Sequence, residues 1–534
     1  MRKIFCAYFT LGLCLTGCNS ESGSPDRAAL RFSEALPSLS AAVEPKGDEA
    51  DDGQPFNTET YDHIVDNPFY AVVQNPLSTF SIDVDTASYS IVRRYLNDRQ
   101  LPPPGAVRIE ELVNYFTYDE LQPEGDVPVS VHIEVADCPW NDQHRLARIG
   151  LKGREIAHEQ RPASNLVFLI DVSGSMAAEN KLPLVKSGLK LLVGQLDERD
   201  RVAIVVYAGA SGQVLPSTPG NERQIILSAI EHLAAGGSTN GASGIELAYQ
   251  TAAENFIEKA TNRVILCTDG DFNVGITSQD QLIHLIEEKA RTGVFLTVLG
   301  FGMSNYKDST MEKLADKGNG NYGYIDTQKE ARKLLCDQLS GTLITIAKDV
   351  KLQIEFNPSR VAAYRLLGYE NRVLAAADFN NDAKDAGDIG AGHSVTALYE
   401  LVPVGQSLGD LGPEVLPVDP LRYQKPGDVT EAAAGNDLFT LALRYKLPDA
   451  DTSQRLECPA VDTGLTISRA SGNFVWSAAV AEFGMILRDS KYKGSATFNS
   501  VAELARSARG ADQEGYRAEF IALVEVAESL AKQK

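Results

Sequence analysis

The residues of this chain best equipped for chemistry are Asp171, Ser173 and Ser175, spaced D-x-S-x-S in the stretch NLVFLIDVSGSM from Asn165 to Met176. One carboxylate and two hydroxyls on a single turn are hard oxygen donors. Mg²⁺ accepts such a set while keeping waters and an open position, and Mn²⁺ and Ca²⁺ are the alternatives. Taken alone, the spacing would also describe an ordinary turn and helix cap. Two later stretches hold the oxygens that would complete it: Thr239 in Gly236-Gly237-Ser238-Thr239-Asn240, and Asp269 in Thr268-Asp269-Gly270.

Each of these loops follows or precedes an element that can aim it. The apolar run Leu166 to Ile170 is long enough for one buried parallel strand that ends at Asp171. Val264 to Cys267 does the same for Asp269, and the glycine-rich loop carrying Thr239 leads into a helical run from Ile245 to Phe256. In a doubly wound sheet, ligands gather outside the carboxyl ends of the strands, which is where all three loops would meet. Around them the α/β rhythm is regular: helix from Leu182 to Leu196, strand Val202 to Tyr207, helix Ile225 to Leu233, helix Gln279 to Arg291, strand Val294 to Phe301, helix near Met311 to Asp316, strand Tyr322 to Ile325, and a last helix from Gln328 to about Ile346.

DxSGS, a GST loop and a strand ending in TDG, in that order, resemble the von Willebrand factor type A (VWA) domain with its metal-ion-dependent adhesion site. The resemblance implies that Asp171, Ser173, Ser175, Thr239 and Asp269 are the metal ligands, with no departure at any of the five positions. It also implies an ion that keeps one coordination position for a carboxylate given by a protein partner, and a terminal helix that shifts when the partner binds.

At 534 residues the chain is too long for one core. Its 43% apolar and 23% charged content is that of a soluble globular protein. The net charge is −22, with no basic cluster to offset it, which argues against nucleic acid as a partner and against a charged face for anionic lipid.

The N-terminus reads as a targeting segment. Arg2 and Lys3 precede an apolar run from Ile4 to Leu15, too short for a span of about 20 residues. It ends Leu15-Thr16-Gly17-Cys18, which resembles a bacterial lipobox. That resemblance makes residues 1–17 a lipoprotein signal peptide, Cys18 the lipidated first residue of the mature chain, and the membrane a partner through that anchor. Asn19 in place of aspartate favours the periplasmic face of the outer membrane. Residues 18–60 are rich in Ser, Pro, Gly, Asp and Glu, the composition of a disordered tether with an r.m.s. span of about 35 Å. Cys138, Cys267, Cys336 and Cys458 remain after the leader and anchor; Cys267 reads as a buried thiol, and spacing leaves any pairing among Cys138, Cys336 and Cys458 open.

Residues 61–126 contain a strand through Phe80, Ile82 and Val84 and helices at Ala87 to Leu96 and Val107 to Phe116. They resemble the VWA-associated N-terminal domain of bacterial YfbK-type lipoproteins. Asp83, Asp85 and Ser88 imitate a second metal motif, but a strand end and helix cap account for them more simply. Alternation at Val129, Val131, Ile133 and Val135, and again from Val350 to Phe356, predicts a β-rich domain over 127–160 and 349–468 that is interrupted by the VWA domain at 161–348. Further strands are expected at Tyr364 to Leu367, Val395 to Val402 and Phe439 to Tyr445. The acidic run from Asp378 to Asp388 lacks the glycine and glutamate of an EF-hand and reads as a solvated loop. Residues 469–534 are predicted to be helical, and EFGMILRDSKYKG resembles the C-terminal domain of the same lipoproteins.

The expected fold class is therefore α/β, a doubly wound Rossmann-like VWA domain inserted in a β-rich domain with a helical C-terminal region. Three function classes follow. The first is a lipid-anchored envelope protein that captures a protein partner through a divalent metal and is not an enzyme. The second is a Mg²⁺-dependent hydrolase. It lacks support in G-x-x-x-x-G-K-[ST], G-x-S-x-G or H-E-x-x-H, none of which occurs. The third is a structural envelope scaffold with a non-functional metal site.

Overall fold

Leu166, Phe168 and Ile170 pack on one side of a sheet while Val167 and Leu169 pack on the other, so the continuous apolar run of this segment is the signature of a strand covered on both faces. The strand, Ser164–Asp171, is buried at every position. The computed structural model describes residues 59–533 apart from 83–84, 238–240, 271–278, 304–305, 339–343, 383, 385 and 407–428. Cys18, with the expected leader and most of the expected tether, lies outside the described residues, as does Thr239.

Ser164–Asp171 is central in a six-stranded sheet. It pairs in parallel with Arg201–Tyr207 on one side and Thr261–Thr268 on the other, and Phe295–Phe301 and Tyr322–Ile325 continue the parallel order. Ser211–Pro219 closes the far edge antiparallel to Arg201–Tyr207. The sequence does not announce this edge strand, because Gly212 and Pro216 interrupt any alternation. Helices Leu182–Val193 and Arg223–Glu231 feed Leu189, Leu192, Ile226 and Ile230 into one face. Helices Gly241–Glu254, Gln279–Ala290 and Asp308–Lys317 feed Ile245, Ile286 and Leu314 into the other. This is the doubly wound α/β arrangement expected from the sequence.

Two antiparallel sheets flank the insertion in sequence. In the first, Val129–Cys138 and Asn141–Gly153 form a hairpin, and Asn141–Gly153 pairs with Ser394–Pro403. The chain thus leaves this sheet before the α/β unit and rejoins it afterwards. The second sheet is built on Thr345–Phe356, which pairs with Asp437–Lys446. Ile149, Tyr364 and Tyr399 from the first sheet and Leu352, Ile354 and Leu441 from the second share one core. The opposite face of the first sheet gives Leu146 and Leu398 to a separate core filled by Trp476 and Phe483 of helix Gly472–Leu487 and by Phe520 of helix Tyr516–Ala531.

Residues 61–126, expected as a unit of their own, are shared among these layers. Leu77–Ser81 pairs with Thr345–Phe356, and Tyr70–Ala71 with Val361–Leu367. Helix Ala87–Asn97 packs on Tyr322–Ile325 and on Tyr516–Ala531, and helix Ile109–Asn114 packs on Gly472–Leu487. Neither Asp85 nor Ser88 caps the helix. Asp85 Oδ1 accepts the Tyr322 N–H at 2.8 Å and Ser88 Oγ donates to the Ala106 carbonyl at 2.6 Å, so these groups bind neighbouring elements instead.

The expected last helix of the VWA unit also needs correction. It runs only over Gln328–Arg332, followed by a π-turn at Lys333–Asp337, and a strand already begins at Thr345. Thr345 and Ile346 are β-branched, stiff at χ1 and suited to a pleated surface. Thr345 pairs with Gly390 and Ala347 with Ile389, so strand pairing wins over helix continuation. All four cysteines in the described residues are free thiols, which answers the pairing left open by spacing. The acidic loop holds a short 3₁₀ turn at Ala376–Asn380, and Arg444 donates to Asp382 at 3.0 Å.

Candidate metal centre

The parallel pairing of Ser164–Asp171 with Thr261–Thr268 brings Asp171 and Asp269 to the same edge, because Asp171 ends its strand and Asp269 directly follows the neighbouring one. Both are buried, as is Ser173, while Ser175 is exposed. Asp171 Oδ1 accepts the Ser173 N–H at 2.8 Å, which folds the loop back on the carboxylate. The Ser173 and Ser175 hydroxyls lie 3.0 Å apart, so two of the expected donors sit side by side.

The glycine-rich loop is tied to the same turn. Gly236 N–H donates to the Val172 carbonyl at 2.7 Å, and Gly174 N–H donates to the Gly237 carbonyl at 3.1 Å. Gly237 holds φ of +87°, a backbone conformation that side chains with a Cβ disfavour. The structure therefore brings together Asp171, Ser173, Ser175 and Asp269, and the two glycines shortly before Thr239.

Burial pushes the Asp171 carboxyl up to about 6, against the downward pull of the bonds from Ser173; the neighbouring charge of Asp269 adds to the rise. Tyr207, fully buried opposite Asp171 on the adjoining strand, has its own phenol raised well above its ordinary value by burial and then by the Asp171 charge.

Sequence reasoning missed Lys181. Its Nζ donates to Asp269 Oδ2 at 2.8 Å, and both side chains are nearly sequestered from solvent. The chain leaves room for it at Gly302, where φ is +79° and a Cβ would lie 2.2 Å from Lys181 Cε. The only signal in the sequence is that Lys181 is the one cation between the D-x-S-x-S loop and the helix that begins at Leu182.

The donor set fits a hard divalent cation. It offers two carboxylates and two hydroxyls and no sulfur or imidazole. Among the described residues no three His, Cys, Asp or Glu side chains are grouped to hold a metal ion, so binding here depends on the serine hydroxyls. Lys181 supplies part of the positive charge that the two acids need when no ion is present.

Three family models match successive parts of the chain. A family model described as von Willebrand factor type A domain matches residues 165–336, one described as von Willebrand factor matches 55–148, and one for the C-terminal part of uncharacterized protein YfbK matches 341–530. The chain is 46% identical over 480 residues to the uncharacterized protein YfbK of Escherichia coli (strain K12), across 89% of this chain and 82% of that protein. It is 34% identical over 112 residues to the magnesium-chelatase 60 kDa subunit of Rhodobacter capsulatus, across 21% of this chain and 20% of that subunit. Among solved structures it is similar to a von Willebrand factor type A protein from Catenulispora acidiphila, at 16% identity and a TM-score of 0.42, over 73% of this chain and 89% of that one. The chain belongs to the YfbK family, whose central part is a von Willebrand factor type A domain.

Proposed function

We propose that this protein is a lipid-anchored component of the bacterial cell envelope that captures a protein partner through a divalent metal. Asp171, Ser173, Ser175, Thr239 and Asp269 would hold the ion, with Mg²⁺ preferred over Mn²⁺ or Ca²⁺. The ion supplies an electrophilic position for a carboxylate of the partner. The observation that carries this reading is the pairing of two buried carboxylates with two adjacent serine hydroxyls at one strand edge. Two carboxylates neutralise a divalent ion only formally, so a third anionic oxygen remains attractive to it.

The anchor and location rest on the lipobox ending at Cys18 and on Asn19, which favour the periplasmic face of the outer membrane. A hydrolytic role has weaker support, since the serines have no histidine near them in sequence. The test is capture from envelope extract by wild type and Asp171→Ala protein, with and without chelator. A partner retained only by wild type with metal supports the reading, and identical capture in all four conditions overturns it.

A further inference from the structure

Lys181 is fixed at the metal centre along its whole length. It is the residue before helix Leu182–Val193; its N–H donates to the Ala178 carbonyl at 3.0 Å and its carbonyl accepts the Val185 N–H at 2.9 Å, so the start of the helix sets its backbone. Its stem fills the space left by Gly302, where an added Cβ would stand 2.2 Å from Cε and 2.9 Å from Cδ and Cγ. Gly302 is held in turn, because the Tyr324 hydroxyl donates to its carbonyl. The lysine side chain is 11% exposed and that of Asp269 2%. Enclosure on that scale keeps the ammonium beside Asp269 rather than in solvent.

A cation that stays in place alters the charge balance of the site. Among the described residues, the charged side chains buried at this strand edge are Asp171, Lys181 and Asp269. With both acids ionised they sum to one negative charge, and a divalent cation turns that sum into one positive charge. The same acids and cation without the lysine would sum to zero. An unbalanced charge in a buried site is costly, because the low dielectric strengthens each charge–charge interaction and little water is there to offset it. A singly charged anion removes the imbalance, and a neutral group of the same shape does not.

We propose that Lys181 makes cation and carboxylate binding at this centre interdependent: it weakens the hold on a divalent cation alone and strengthens it when a monocarboxylate binds beside that cation. This role rests on the reading of the centre as a metal site open to a carboxylate, and it names the residue that sets the coupling. By reciprocity the cation strengthens the carboxylate by the same factor. A partner's carboxylate and the cation are then held firmly together and only weakly apart.

The test is calorimetric titration of the full chain with Mg²⁺ at pH 8 in chloride, in acetate, and in chloride with acetamide, all at one ionic strength. Wild type should bind Mg²⁺ at least about fivefold more tightly in acetate than in chloride, the low end of ordinary coupling between sites, and acetamide should have no such effect. Lys181→Gln removes the charge and keeps an N–H donor. It should bind Mg²⁺ more tightly than wild type in chloride and gain less than about twofold from acetate. Lys181→Met decides the matter if Lys181→Gln does not fold. Melts in chelator are read alongside, since a lysine with a structural role alone would change the melting temperature and leave the acetate effect intact. An equal acetate effect in wild type and variant overturns the role of Lys181 and leaves the metal site standing. Wild type that binds Mg²⁺ with no acetate effect overturns the role too, and counts against an open position for a carboxylate. Wild type that binds no Mg²⁺ in any of the three solutions removes the metal site, and this role with it.

Discussion

The Lys181 ammonium donates to Asp269 Oδ2 at 2.8 Å beneath the surface of the metal centre. A divalent ion placed among Asp171, Ser173, Ser175 and Asp269 must share Asp269 with that ammonium or displace it. Removing the ammonium takes from a buried carboxylate its neighbouring positive charge, which costs apo stability and raises the reward for a metal ion. Lys181→Met should therefore lower the metal-free melting temperature and tighten Mg²⁺ by about tenfold, or 1.4 kcal/mol. Calorimetry together with melts in Mg²⁺ and in chelator reads both effects. Equal Mg²⁺ affinity in the two proteins would show that ion and ammonium use different oxygens of Asp269.

Asp171→Ala and Thr239→Ala should each lose at least about tenfold in divalent-metal affinity while the fold survives, because Asp171 stands at the very end of its strand and gives the core no apolar surface. Asp171→Ala also removes a buried carboxyl that burial holds near 6, so the apo form should not be less stable than wild type at pH 8. Unchanged metal affinity in both variants would remove the site.

Much of this centre is legible in the sequence because its parts are local. Asp171, Ser173 and Ser175 lie within one turn, and an uninterrupted apolar run marks the strand that aims them. Asp269 is legible for the same reason at the end of its own strand. Lys181 is not, because its contact with Asp269 exists only once two strands and a helix are assembled. The same holds for the N-terminal segment. The strand expected through Phe80, Ile82 and Val84 lies earlier, at Leu77–Ser81, with Val84 outside the described residues; its pairing with Thr345–Phe356 joins positions about 270 residues apart, and no period in the sequence records it. At Thr345 and Ile346 a helical stripe and a strand stripe overlap, and the partner at Ile389–Gly390 decides between them.

On the proposed lipidation, Cys18→Ser should release the protein from membranes without changing its melting temperature, since Cys18 lies about 40 residues before Glu59, the first described residue. Fractionation that finds the variant still membrane-bound in high salt would count against lipidation.

Glu482 gives the fold a pH dependence independent of any metal. It is fully buried in helix Gly472–Leu487, and burial raises its carboxyl from 4.5 to about 7, against the opposing Ser500 hydroxyl bond. The folded state then holds the proton more tightly than the unfolded chain. Its stabilising contribution is present below pH 4.5 and is lost as pH rises through about 7. Glu482→Gln should thus gain up to about 3 kcal/mol over wild type at pH 8 and little at pH 4.5. Denaturant melts at the two pH values check the difference, and a pH-independent offset would assign the effect to packing.

Arg93 supplies the last prediction, because it holds the end of the VWA unit to the rest of the molecule. From helix Ala87–Asn97 its guanidinium donates to Asp326 Oδ2 at 2.8 Å, to Glu330 Oε2 at 2.8 Å, to the Tyr115 hydroxyl at 2.9 Å and to Glu519 Oε2 at 3.1 Å. Asp326 and Glu330 bracket the start of Gln328–Arg332, and Glu519 lies on Tyr516–Ala531, so one buried cation joins three regions of the chain. Lys333 adds a bond to the Tyr115 carbonyl at 2.6 Å. Removing one member of a buried charge cluster costs about 3 to 5 kcal/mol, much of it from the acids left behind. Arg93→Met should accordingly speed amide exchange across Gln328–Asp337 and make that exchange respond to Mg²⁺, because a helix freed from its clamp can follow the metal centre. Arg93→Met with Glu330→Gln, which leaves fewer acids unpaired, should recover stability while keeping the faster exchange. Protection across Gln328–Asp337 that stays at the wild-type level in both variants would show that Arg93 stabilises the fold without restraining this helix.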